Sequence, residues 1–157
     1  MERARPRVVM VDVPAYIITQ MERFCAWQER CPFDVHRKLI SYHLSEEQEE
    51  SVIKYLKDNQ FLDEERYVES FVRSKVKAAW GKQKIVAALR AKQIPSAVIE
   101  RHCAEISSDD YAEKLRQCIE KWQRSHPNVE NARPKLIRHL LSKGYGMEEV
   151  MRVMNDV

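Results

Sequence analysis

Glycine occurs only three times in the 157 residues of this chain, as Gly81, Gly144 and Gly146. Tight β-hairpin turns and phosphate-cradling loops need glycine, because only glycine adopts positive φ angles at little cost. Its scarcity argues against an all-β fold and against a P-loop or Rossmann nucleotide site. The chain is 44% apolar and 32% charged, which is ordinary for a protein that folds around a core. We therefore expect an all-α protein.

The charge balance and the cysteines are typical of a reduced cytoplasmic protein. Lys and Arg total 27 against 24 Asp and Glu, and the resulting +3 neither requires nor forbids a polyanionic partner. No apolar run approaches the roughly 18 residues of a membrane span, and no signal-peptide pattern opens the chain. The four cysteines show neither CxxC spacing nor the density of a disulfide scaffold. We expect a cytoplasmic protein without membrane contact.

Helix-start signals divide the chain. Thr19 and Ser45 each stand three residues before a Glu or Gln, which is the spacing of a capping box, and Asp63 is placed to cap a further helix. Residues 1–18 are rich in valine and interrupted by proline, so we expect them to form an extended N-terminal arm. From residue 19 onward the pattern predicts helices.

The apolar pattern repeats with a long period. Placing Leu39 on Ile85, or Ile85 on Leu136, aligns the apolar residues that follow without a gap, at offsets of 46 and 51 residues. In an all-helical chain such a period indicates stacked helical repeats. We predict three tandem three-helix repeats, each similar to a helix-turn-helix unit, in an elongated curved array. After the arm 1–18, the predicted repeats are 19–61, 62–107 and 108–157.

The central part of the chain resembles the RecX family, whose members regulate the RecA recombinase. The resemblance is carried by the segments Phe61–Val72, Trp80–Ile85 and Leu89–Ile94, and upstream by Cys25–Cys31 and Arg37–Leu39. It extends over about residues 19–155. Gln60 stands where the family usually has glycine, so we expect Asn59 to provide the turn at this point.

The resemblance implies a cytoplasmic non-enzyme made of three tandem three-helix repeats. It implies binding to the RecA filament on single-stranded DNA and inhibition of recombination, ATP hydrolysis and co-protease activity. Some family members also bind DNA weakly. The resemblance implies no cofactor.

A block of 30 residues, 70–99, contains seven basic residues and no acidic one. A basic surface of this kind meets phosphates or an acidic protein groove, although a solvated face that contacts nothing is the alternative. On a helix, the first and third of these residues share one face. We predict that the block binds the RecA filament or its DNA, through Arg73, Lys75, Lys77, Lys82, Lys84, Arg90 and Lys92.

Catalytic and metal sites are not indicated. Cys25, Cys31 and two nearby histidines match no zinc-finger spacing, and Cys25 lies on an apolar helical face, which predicts a core thiol. His102 and Cys103 are adjacent on a predicted helix, so their side chains diverge by about 100° and do not form a nucleophile–base pair. We expect no catalytic residue, no metal and no cofactor.

The three tryptophans, Trp27, Trp80 and Trp122, recur near the end of each predicted first helix. Packing between helices at three equivalent places is the simpler interpretation, and stacking on DNA bases is the alternative.

Three functions remain open from the sequence. The leading hypothesis is a monomeric, non-enzymatic protein that binds the RecA filament and inhibits it. The alternatives are a direct nucleic-acid binder of the helix-turn-helix type, and a helical-repeat adaptor for another protein. A sequence-reading protein should prefer particular duplex sites, whereas a filament regulator should not.

Overall fold

The computed structural model describes residues 12–155, and within that range the chain forms nine α-helices and no β-strand. A short 3₁₀ turn, Ile40–Tyr42, extends the second helix. The helices are α1 Ala15–Trp27, α2 Pro32–Leu39, α3 Glu46–Asp58, α4 Glu64–Lys77, α5 Lys82–Ala91, α6 Ser96–Ala104, α7 Ser108–Ser125, α8 Ala132–Ser142 and α9 Met147–Asn155. The all-α prediction is confirmed.

The chain divides into two compact units, Met1–Tyr67 and Val68–Val157, with the division inside α4. The first unit is built around α1, α2 and α3. Its core contains Met21, Leu39 and Leu56, all with no exposed surface. One apolar residue from each of three helices thus meets at the centre of the unit.

In the second unit, α7, α8 and α9 enclose an apolar core. Leu115, Leu140, Tyr145 and Val150 are its most buried members, each at most 1% exposed. The α5 residues Ile85 and Leu89, together with other residues of α4–α6, are buried in the same unit. The boundaries 19–61, 62–107 and 108–157 stay a prediction.

One of the two predicted offsets agrees with the burial pattern. The residue pairs Ile85 with Leu136 and Ile94 with Tyr145, at the offset of 51, are buried in both members. The left-handed residues Gln93 and Gly144, which end α5 and α8, are also 51 positions apart. These two helix–turn–helix segments are therefore equivalent residue by residue.

The offset of 46 is wrong by about one helical turn. His43 and Gln93 are the left-handed residues before α3 and α6, and they lie 50 positions apart, as do the first residues of those helices. Apolar residues recur every three to four positions on a helical face. A slip of one turn therefore preserves most apolar matches, which is why the sequence pattern favoured the wrong alignment.

The N-terminal arm was predicted over 1–18, but residues 15–18 belong to α1. The helix begins after Pro14, and the Thr19 hydroxyl donates a hydrogen bond to the Ala15 carbonyl instead of capping a helix start. Ile17 is buried on the same face as Met21, and this burial outweighs the weak helix propensity of the β-branched residues here. Residues 1–11 of the predicted arm lie outside the described residues.

Two other helix starts are as predicted. The Ser45 hydroxyl accepts a hydrogen bond from the Gln48 backbone N–H at 3.1 Å, and the Gln48 side chain accepts one from the Ser45 N–H at 2.8 Å. The Asp63 carboxylate accepts a hydrogen bond from the Arg66 N–H at 3.0 Å. The helix starts predicted from sequence, a capping box at Ser45 and a side-chain cap at Asp63, are thus those of α3 and α4.

The turn after α3 uses Gln60 and not Asn59. Gln60 has φ = 66°, whereas Asn59 has φ = −101° and its side-chain amide donates to the Tyr55 carbonyl. The Phe61 N–H reaches back to the Leu56 carbonyl at 2.9 Å, which is the pattern of a Schellman ending. Gln60 therefore occupies the left-handed position that the family usually gives to glycine.

We expect Gln60→Gly to raise the free energy of unfolding by up to about 1 kcal/mol. The left-handed conformation costs a side-chain-bearing residue roughly 1–2 kcal/mol, and the added backbone entropy of the unfolded chain offsets part of the gain. Urea denaturation followed by circular dichroism measures the change. Gln20→Gly, at an exposed position inside α1, is the control and should lose about 0.5–1 kcal/mol. Equal losses in the free energy of unfolding for Gln60→Gly and Gln20→Gly would contradict the left-handed conformation of Gln60.

Candidate partner-binding surface

The start of α5 is held by a close approach of two backbone segments. Gly81 precedes α5 as its N-cap, whereas α4 ends earlier, at Lys77. The Gly81 N–H donates to the Lys143 carbonyl at 2.7 Å, and a side chain on Gly81 would collide with the backbone of Gly144. Two of the three glycines are therefore explained by one contact between the start of α5 and the turn from α8 to α9.

A buried tyrosine adds a second connection. The Lys82 backbone N–H donates to the Tyr111 hydroxyl at 2.8 Å, and that hydroxyl donates to Glu149 Oε2 at 3.0 Å. Glu149 Oε2 also accepts a hydrogen bond from the Gly146 N–H. Burial raises the pKa of Tyr111, so the hydroxyl keeps its proton at neutral pH and can donate. The first turn of α5 is thus fixed by residues of α7 and α9.

The segment between α4 and α5 carries an aromatic ring covered by two lysines. Lys75 Nζ lies 4.5 Å and Lys84 Nζ 4.1 Å from the centre of the Trp80 ring. Phe71 meets Trp80 edge to face, with the ring centres 6.2 Å apart. We call Phe71, Lys75, Trp80 and Lys84 the Trp80 cluster. Its two cations come from different helices, and the geometry fits the range of cation–π interactions.

The other five basic residues of the block lie in other surroundings. Lys82 Nζ is over the Tyr111 ring at 4.7 Å. Arg73 forms an ion pair with Glu69 at 2.8 Å, and with Lys77 it lines a groove of about 610 Å³ between α4, α6 and α7. The last two, Arg90 and Lys92, lie at the end of α5. Of the seven basic residues of the block, Lys75 and Lys84 are the two that meet on Trp80.

The tryptophans do not occupy equivalent places, so the prediction of three equivalent packing sites is wrong. Trp122 is buried and stacks on His126, with the ring centres 4.3 Å apart. Trp80 is half-buried beneath its two lysines. Trp27 is 81% exposed, because α1 ends at this residue and turns its ring away from the core.

Three of the four thiols are buried, and Cys103 is partly buried. Cys25 is 4% exposed, and burial raises its pKa to about 11, which confirms the predicted core thiol. Burial also raises the pKa of the Cys103 thiol, contrary to what a nucleophile needs. Between residues 12 and 155, no three His, Cys, Asp or Glu side chains are grouped to hold a metal, and no helix is long and apolar enough to cross a membrane.

These features define a class, that of all-helical proteins built from three-helix units with a basic–aromatic surface. A family model described as RecX, second three-helix domain, matches residues 63–101. Regulatory protein RecX of Clostridium tetani is 30% identical over 127 residues, which cover 78% of this chain and 58% of that protein. Regulatory protein RecX of Escherichia coli K12 is 26% identical over 155 residues, covering 91% and 93%. The chain belongs to the RecX family.

Solved structures agree with the fold. A crystal structure of regulatory protein RecX superimposes with a TM-score of 0.81 at 24% identity, covering 90% of this chain and 72% of the other. RecX from Lactobacillus salivarius gives a TM-score of 0.75 at 23% identity, covering 91% and 97%. These likenesses support a helical repeat array. The chain spans 58% and 59% of the lengths of two clostridial relatives.

Proposed function

We propose that this chain is a non-enzymatic, monomeric regulator that binds the RecA recombinase filament in the cytoplasm. In this role it inhibits the recombination, ATPase and co-protease activities of RecA and so limits DNA repair by that route. Membership of the RecX family is the observation that carries the proposal. The Trp80 cluster supplies the surface.

The Trp80 cluster suits a negatively charged partner. Its lysine side chains rest on Trp80 and Phe71, so part of their conformational freedom is already lost before a partner arrives. Ordered cations on a rigid junction of two helices bind phosphates or carboxylates at a smaller entropic cost than free lysines. We propose that this cluster contacts the filament, with Lys82, Arg73, Lys77, Arg90 and Lys92 extending the contact on either side.

We expect the double reversal Lys75→Glu and Lys84→Glu to raise the concentration needed for half-inhibition of RecA by about tenfold or more. Each change removes an attraction and adds a repulsion, and tenfold corresponds to only about 1.4 kcal/mol of binding free energy. The measurement is ATP hydrolysis by RecA on single-stranded DNA, titrated with each variant. Exposed charges are screened beyond about 8 Å at physiological salt, so wild-type inhibition should also weaken as salt rises.

The matched control is Lys121→Glu with Lys135→Glu, two exposed positions on α7 and α8 of the same unit. It changes the net charge by the same amount and should inhibit like the wild type. If both double variants inhibit RecA equally, the Trp80 cluster is not part of the interface. Duplex binding with a strong site preference would favour a helix-turn-helix reader instead. If the wild type has no effect on RecA, the proposed regulation is wrong and the helical-repeat adaptor for another protein is the remaining hypothesis.

A further inference from the structure

A groove of about 610 Å³ opens between α4, α6 and α7, and all of its lining residues belong to the second unit. Three of them are apolar. Val72 and Val76 are one turn apart on α4, and Ile106 lies between α6 and α7. Val72 is buried, whereas Val76 and Ile106 each keep part of their surface exposed. A ligand that covers these side chains therefore gains by removing apolar surface from water. We call this site the α4–α7 groove.

The two long helices that border the groove carry charges at helical spacing. Arg73 and Lys77 are four residues apart on α4, and Asp110 and Glu113 are three residues apart on α7. Residues at these spacings lie on one face of a helix. All four side chains are exposed. The α4 side of the groove therefore presents two cations, and the α7 side presents two carboxylates.

Two of these charges already have a partner on their own helix. Arg73 forms an ion pair with Glu69 at 2.8 Å, and Glu113 forms one with Arg116 at 3.2 Å. Both pairs are exposed, and exposed ion pairs contribute little to stability. A charged group of a ligand can therefore replace either pair at little cost.

The balance of charge decides the class of ligand. Including Glu105 and Lys114, the groove is lined by four carboxylates and three cations. Nucleic acid binds through the attraction of cations for its phosphates, and here the phosphates would meet more carboxylates than cations. A protein segment with charges of both signs suits such a groove. The mixed charge therefore favours a protein ligand over a nucleic acid.

The dimensions of the groove favour a helical segment. Its α4 side runs from Glu69 to Lys77, a rise of about 12 Å or two helical turns. Residues 12–155 contain no β-strand, so an extended segment finds no sheet edge to join. An amphipathic helix is the usual ligand of an apolar groove, with anchor residues at i, i+3 or i+4, and i+7.

We infer that the α4–α7 groove binds an amphipathic helix of a partner protein. The apolar ridge of that helix covers Val76 and Ile106. Its acidic edge faces the cations of α4, and its basic edge faces the carboxylates of α7. The inference goes beyond the proposed function, in which Arg73 and Lys77 contribute only their charge, because the groove adds an apolar contact and a preference for helical shape.

The test uses a synthetic, fluorescently labelled peptide of about 18 residues, long enough to form a helix by itself. Its sequence is based on alanine, with leucines at i, i+4 and i+7, glutamates along one side of this ridge and lysines along the other. Anisotropy measures its binding to the purified chain without RecA. We expect Val76→Gln to weaken binding by at least about fivefold, because an apolar contact is lost. Glutamine is a better helix former than valine, so α4 should stay intact.

Val98→Gln is the matched control, since Val98 is a partly exposed valine of α6 that does not line the groove. It should bind the peptide like the wild type. Circular dichroism of each variant shows that the helices are intact.

A charge exchange tests the orientation of the ligand. Lys77→Glu should weaken binding of the same peptide, because the acidic edge then meets a carboxylate on α4. A second peptide, with lysines on both sides of the leucine ridge, should bind Lys77→Glu more tightly than the wild type. A variant that had merely lost stability would not gain affinity for any ligand.

Three results would overturn the inference. The first is no binding of the peptide by the wild type, and the second is equal affinity in Val76→Gln and Val98→Gln. The third is a dimer of the wild type, detected by sedimentation, that Val76→Gln abolishes, because a second copy of the chain would then occupy the groove. The assay contains no RecA, so its failure leaves the proposed regulation of RecA untouched.

Discussion

Replacement of Gly81 by alanine should lower the free energy of unfolding by about 3 kcal/mol or more, at the upper end of what overpacking costs. A Cβ at this position would collide with the carbonyl carbon of Gly144 and the backbone N of Tyr145. Backbone atoms cannot turn aside as a side chain does, so the start of α5 and the turn from α8 to α9 would have to separate. That separation also breaks the hydrogen bond from the Gly81 N–H to the Lys143 carbonyl.

The measurement is urea denaturation of the Gly81→Ala variant, followed by circular dichroism. Gly146→Ala is the matched control, because a Cβ there would meet only the end of the flexible Gln83 side chain at 3.3 Å and Glu149 beyond it. This control should cost less than about 1 kcal/mol, within the range of mild substitutions. Similar losses at both positions would show that the close approach at Gly81 does not exist.

The second large effect concerns the first unit, where Leu39→Ala should cost about 2–5 kcal/mol. Leu39 has no exposed surface and packs in the core with Met21 and Leu56. Truncation removes buried methyl groups and leaves a cavity that the surrounding helices fill only in part. Urea denaturation again measures the loss.

Ile40→Ala tests the same segment at the neighbouring position. Ile40 is 56% exposed, because the chain passes from α2 into the 3₁₀ turn at this residue. Its truncation should change the free energy of unfolding by at most about 0.5 kcal/mol. If Ile40→Ala destabilises more than Leu39→Ala, the register of α2 described above is wrong.

Local signals predicted the helices well wherever a side chain bonds to a nearby backbone group. Ser45 and Asp63 cap their helices as their spacing indicates, since such bonds depend on three or four residues only. Thr19 shows the same spacing but lies inside α1, because the burial of Ile17 extends the helix toward Pro14. Tertiary packing thus overruled a local signal.

The offset between the first two repeated segments and the turn after α3 were predicted wrongly for a different reason. An apolar pattern cannot distinguish alignments that differ by one helical turn, so the offset between the first two segments required the positions of His43 and Gln93. The turn at Gln60 was assigned to Asn59 because asparagine adopts the left-handed conformation more readily than glutamine. The Schellman hydrogen bonds require the left-handed residue two positions after the end of α3, and that residue is Gln60.

The basic block was visible in the sequence, but its grouping was not. Which lysines meet depends on the angle between α4 and α5 at Trp80, and that angle follows from contacts made by Gly81 and Tyr111 far away in sequence. The exposure of Trp27 was equally hidden, because a tryptophan at a helical position is normally part of a core. The grouping of the basic residues and the exposure of Trp27 are therefore properties of tertiary structure.

The hydrogen bonds at the start of α5 couple the local unfolding of this segment to the local unfolding of distant parts of the second unit. Lys84 stands one turn after Gly81, whose position depends on the turn from α8 to α9, and Tyr111 joins Lys82 to Glu149. A partner that holds the Trp80 cluster in place therefore also opposes local opening of the last two helices, by the reciprocity that links binding to stability. Removal of α9 would in the same way weaken a surface to which it contributes no side chain.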